Sequence, residues 1–201
     1  MSPMLDISVG ITALKHVKTV YIVAVKNEVK ELLFHQEKNF KDLATIHTIN
    51  RHPKGDELFS FELSTEGQAA ATFSTPKTYL YEPNAAVMKS GAFKLISKKF
   101  KLNKLDQHTH LYTSDDKIAK FPGKVYEISN SYLYQKKSLK KAIGGLKANV
   151  KTRNFSEKTE TLKTHFKLTD GGDLYLFFTT SNDKKIVVKG RLNTFWNLQG
   201  S

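Results

Sequence analysis

With 201 residues, 39% of them hydrophobic and 11% aromatic, the chain has the apolar content for one large domain or two small ones, which excludes an unfolded polar chain. Thirty-two Lys and Arg against 19 Asp and Glu leave a net charge of +13, a field that attracts polyanions. There is no cysteine, so disulfide frameworks and thiolate metal sites are excluded; the longest apolar runs fall far short of the roughly 20 residues of a membrane-spanning helix; and the first residues lack a signal-peptide layout. The expectation is a soluble, cytoplasmic protein.

In chain order, residues 5–14 carry Ile7, Ile11 and Leu14 at helical spacing and lead into a strand over 20–25, apolar on both faces as in an α/β sheet. Asn27 is expected to cap a short helix over 28–34, with Leu32, Leu33 and Phe34 turned inward. Residues 45–49 and 58–63 alternate as strands across a turn at Arg51-His52-Pro53-Lys54-Gly55-Asp56. The stretch from Tyr79 to Ile96 organises the rest of the chain. Tyr79, Leu80 and Tyr81 read as a buried strand end, Pro83 suits the first position of a helix, and Ser90-Gly91 permits a bend before Phe93, Leu95, Ile96 and Phe100. Beyond it come a strand over 108–113, a turn at Phe121-Pro122-Gly123, and strands over 124–132, 148–153, 173–179 and 184–189. Helices over 136–143 and 157–166 alternate with them, with glycine at their ends and a hairpin turn at Ser181-Asn182-Asp183. Strands interleaved with helices imply an α+β sandwich.

Several long motifs in fixed order carry a resemblance. They are YLYEPNAAVMKSGAFK from Tyr79, THLYTS from Thr109, Phe121-Pro122-Gly123, ANVKTRNF from Ala148 and KLTDGGDLYLF from Lys167, with Ser2-Pro3-Met4-Leu5-Asp6-Ile7 and the run from Val23 to Leu33 upstream. Together they resemble the C-terminal half of a family of bacterial class I S-adenosylmethionine-dependent methyltransferases that carry ferredoxin-like and THUMP-like domains. The resemblance departs at Val29, where relatives tend to have cysteine, and at Ser156, where they tend to have proline.

The resemblance implies four parts: residues 1–76 as the last elements of a Rossmann-like methyltransferase sheet, 77–122 as a ferredoxin-like linking segment, 123–190 as a THUMP-like domain, and 191–201 as a tail. The family's S-adenosylmethionine-binding loop, ribose-binding acid and Asp-Pro motif are not found, and no G-x-G-x-x-G pattern exists among the 11 glycines. The chain is thus expected to bind no cofactor and to be inactive alone, as a cloned fragment or a truncated reading frame, with a separate methyltransferase domain as partner. An unpaired edge of the partial sheet would permit homodimer pairing.

The charge excess is local. From Lys124 to Lys167 eleven Lys and Arg face three Glu, an excess of +8. Lys136, Lys137, Lys140 and Lys141 share one broad face of their helix, and Lys147, Lys151 and Arg153 share one face of their strand. These seven are the candidate RNA-phosphate contacts, to tRNA or rRNA as the resemblance to THUMP-like modules implies; the same cations also suit a solvated face in a protein-interaction or structural domain. Tyr132 and Tyr134 are candidates to stack on bases, or are core residues. His108-Thr109-His110 with Asp115-Asp116 lacks a third metal ligand, Thr113 and Ser114 lack a base, and Glu82 and Asn84 suit turn and cap roles better than ligand contacts.

Overall fold

The computed structural model describes residues 4–53 and 55–193. Ser2, Pro3, Lys54 and the tail from Thr194, with Trp196, lie outside them. The chain forms two compact units: one takes the chain up to Ala70 with Pro83–Phe100 and Lys120–Gly123, the other Ala71–Glu82, Lys101–Ala119 and the chain from Lys124.

The first unit begins with α1 (Ile7–Ala13), capped by Asp6, whose carboxylate accepts from the Ser8 and Val9 amides. Then come β1 (Val17–Val25), β2 (Glu28–Gln36), β3 (Thr45–Arg51), β4 (Glu57–Glu62) and α2 (Leu63–Gln68). The sheet order is β2-β1-β3-β4, with β1 and β3 parallel and both outer pairings antiparallel.

The helix expected over 28–34 is instead β2, paired to β1 from Val17↔Gln36 to Val25↔Glu28. The reason lies in the turn. Lys26 and Asn27 both take positive φ (50° and 66°), the geometry of a two-residue hairpin, and this closes the chain back on β1 before any helix can start. Asn27 still serves as a helix cap, though for another helix: its Oδ1 accepts from Ala85 N at 2.7 Å.

The second unit supplies β5 (Thr72–Phe73) and β6 (Tyr79–Pro83), the latter running on to the boundary residue Pro83. The chain then returns to the first unit with α3 (Ala85–Ser90) and α4 (Phe93–Phe100). Asn84, not Pro83, opens α3: its Oδ1 accepts from Val87 N at 2.9 Å, and Gly91 closes the helix at φ 75°. The second unit continues with β7 (Asn103–Lys104), β8 (Tyr112–Ser114), β9 (Gly123–Leu133), α5 (Lys136–Ile143), β10 (Asn149–Arg153), α6 (Thr159–Phe166), β11 (Leu174–Ser181) and β12 (Lys184–Leu192). Its eight-stranded mixed sheet runs β10-β11-β12-β9-β6-β8-β7-β5.

The strand expected over 108–113 shrinks to three residues, because Asp106 draws His108 and Thr109 into a turn through their backbone amides. The late elements lie within three residues of expectation. Asn182 and Asp183 take positive φ in the β11–β12 hairpin. The fold is α+β. The strands of the second unit carry one apolar cluster on each face: Leu176, Phe178 and Val187 pack with Leu139, Ile143, Leu162 and Phe166 from α5 and α6, while Tyr126, Phe177, Ile186 and Val188 pack with Leu80, Leu105 and Leu111.

Candidate nucleic-acid interface

The sheet of the second unit separates the seven candidate cations. On α5, Leu139 and Ile143 are buried in the helix-side core, and this orients Lys136, Lys137, Lys140 and Lys141 to solvent. Helical spacing explains the arrangement: with 139 and 143 inward, 137 and 141 lie on the opposite side, and 136 and 140 flank the buried stripe at its exposed rim. Lys136, itself exposed, lies 3.7 Å from the partly buried Glu157, a long pair that leaves its charge available. The same packing places α6 beside α5, and α6 brings Lys158, Lys163 and Lys167 to this side, with Lys163 paired to Asp170 at 2.8 Å.

Residues 147, 149, 151 and 153 do share a face, as their spacing requires, but it is the face away from α5. Val150 joins the helix-side cluster, so Lys151 points the other way and stands over the rings of Tyr126, Tyr175 and Phe177 at 5.6–5.7 Å. There Glu82 binds both neighbouring cations. Its Oε2 receives Lys151 Nζ at 2.5 Å and the Tyr126 hydroxyl at 3.0 Å, and its Oε1 receives Arg153 Nη2 at 2.7 Å. Burial raises the carboxyl pKa, yet Lys151, Arg153 and the Tyr126 hydroxyl outweigh it and hold the group below its ordinary value. Burial lowers Lys151, with Glu82 opposing, and burial together with the Glu82 charge pushes the Tyr126 hydroxyl up. The seven candidates therefore lie on two faces of the sheet: four lysines are on the helical side, Lys151 and Arg153 join an ion cluster around the buried Glu82 opposite, and Lys147 lies over Gly171 beside that strand. Sequence periodicity reported each element's own face correctly; it had no means of telling which face of the sheet received the helices.

Tyr134 is a core residue. Its ring meets Phe155, Phe166 and Phe178 edge to face, and its hydroxyl donates to Glu157 at 2.6 Å, so it is unavailable for base stacking; Tyr132 packs beside it, partly buried. Thr113 and Ser114 are tied into the strand ends, Thr113 Oγ1 donating to Tyr79 O at 2.7 Å and Ser114 Oγ bonding the Tyr81 hydroxyl at 2.9 Å. Asp115 pairs with Lys77 at 2.9 Å, while burial, with Lys104, His108 and Arg153 nearby, lowers His110 to about 4 and keeps it neutral at physiological pH. Among the described residues no group of three or more His, Cys, Asp or Glu is arranged to hold a metal.

The molecule thus combines a mixed four-stranded sheet bearing short helices with an eight-stranded sheet whose helical side is basic. Residues 79–122 match a ferredoxin-like domain, and residues 123–191 match a THUMP domain-like family. Their junction at Gly123 is the start of β9. Among solved structures, the chain is similar to that of a candidate methyltransferase from Porphyromonas gingivalis W83, with 31% identity and a TM-score of 0.90 over 96% of this chain and 50% of that one. This chain therefore spans about half the length of that protein. No curated protein matches.

Proposed function

We propose that this chain is the RNA-recognition portion of an S-adenosylmethionine-dependent methyltransferase, holding tRNA or rRNA against a catalytic domain that carries the methyl donor. The observation that supports it best is the concentration of free-facing lysines on α5 in a THUMP-like domain, the kind of module associated with RNA-modifying enzymes. The likeness to the Porphyromonas gingivalis protein supports the methyltransferase part. Such a domain contributes by positioning: holding a substrate in reactive geometry lowers a barrier by several kcal/mol without supplying a chemical group. Under this reading the contact set is Lys136, Lys137, Lys140 and Lys141 with Lys158, Lys163 and Lys167 beside them, and the Lys151–Glu82–Arg153 cluster is scaffolding.

The test is fluorescence anisotropy with bulk tRNA at about 50 mM salt, comparing wild type with a variant carrying Glu at 136, 137, 140 and 141. Wild type is expected to bind and the variant to lose at least tenfold, since each reversal removes a counterion-releasing contact and adds a repulsive one. Equal binding by the two proteins, or no binding by wild type, refutes the proposal and favours a protein-interaction domain whose lysines confer solubility.

A further inference from the structure

The four-stranded sheet of the first unit has two unlike faces. On one, Val20, Ile22, Ala24, Leu32 and Ile46 are wholly buried, with the helices against them: the Phe34 ring fills the space beside Gly10 of α1, and Phe100 of α4 meets Phe59 at 6.1 Å. On the other, Tyr21, Val23, Leu33, Ile49 and Leu58 stand side by side. The register sets Leu33 next to Tyr21, Val23 next to Ile49, and Ile49 next to Leu58, so the apolar surface crosses all four strands. Leu33 is 45% exposed and Leu58 63%. A contiguous apolar patch of this kind marks a contact surface.

We infer that this open face is the seat of a catalytic domain: an apolar layer of a methyltransferase half, supplied by polypeptide corresponding to the part of the Porphyromonas gingivalis chain not spanned here. The inference rests on the methyltransferase reading above. Two observations select this occupant. The related chain holds the same fold within about twice the length, which leaves a domain's worth of polypeptide to lie against it. The face also carries Glu31 and Glu62 against Arg51, so it lacks the cation excess that would recruit nucleic acid.

The absence of cysteine makes the test clean. Leu58→Cys and, as a control on an exposed loop, Lys38→Cys are introduced into this chain and into a chimera in which it replaces the corresponding half of the Porphyromonas gingivalis protein; alkylation at each thiol is followed by peptide mass spectrometry. The expected result is at least tenfold slower alkylation at position 58 in the chimera than in the isolated chain, with position 38 unchanged. Equal rates at 58 overturn the inference. Protection of 58 that grows with concentration in the isolated chain also overturns it, assigning the face to a second copy. Anisotropy with tRNA on the same chimera separates the two proposals: protection without RNA binding refutes only the RNA reading, and RNA binding without protection refutes only the docking.

Discussion

Replacing Glu82 by Gln keeps the side chain's shape and removes its charge, leaving Lys151 and Arg153 facing each other without the anion between them. Breaking a buried ion pair costs about 3–5 kcal/mol, but the Lys151 and Arg153 side chains remain 25% and 43% exposed, and water relieves part of the loss; about 2–3 kcal/mol is the working figure. For a chain of this length that lowers the melting temperature by roughly 4–12 °C. Calorimetry or circular dichroism at pH 7 reads the shift. The pH dependence has a fixed sign. Because the native carboxyl lies below the ordinary 4.5, its contribution is fully present above that value and disappears as pH falls through the native value, so the wild-type advantage should vanish in acid. Installing Met at both 82 and 151 should recover much of the loss, since the Lys151 stem already lies over three aromatic rings. A Glu82→Gln protein that melts within about 1 °C of wild type at pH 7, or keeps the same deficit at pH 3, would show that the cluster does not hold the sheet.

Asn84→Ala removes the α3 cap and the 2.8 Å bond to the Glu57 carboxylate together; a loss of about 2 kcal/mol in urea unfolding is expected, and less than about 0.5 would contradict the assigned cap. Gly190→Ala should cost about 1–3 kcal/mol, because a Cβ there would lie 2.6 Å from the Glu127 carbonyl oxygen at the β9–β12 irregularity; an unchanged chemical-denaturation midpoint would mean that the strands separate freely at that point.

Much of this architecture was legible from residue patterns. The helix over 136–143 and the β11–β12 hairpin appear as expected, because Leu139/Ile143 spacing and the Ser-Asn-Asp turn are strong local signals. Residues 28–34 misled for an equally local reason: Glu, Lys and Leu favour helix, and only the Lys26-Asn27 turn geometry and the pairing with β1 override them. Asn27 and Asn84 converge on α3 from positions 57 residues apart, which no spacing rule connects. The candidate site was half legible. The alternation of Lys147, Lys151 and Arg153 was visible, whereas their separation from α5 by the sheet, and the pairing of Glu82 with Lys151 across 69 positions of sequence, belong to tertiary structure alone.

The most direct test of the RNA assignment is the slope of log binding constant against log salt for tRNA. Four to seven phosphate contacts through α5 and α6 predict a slope of about −3 to −6, flattening by about 3 when the four α5 lysines become Glu. A slope near zero, or one that the four reversals leave unchanged, would place the phosphate contacts elsewhere and contradict the account.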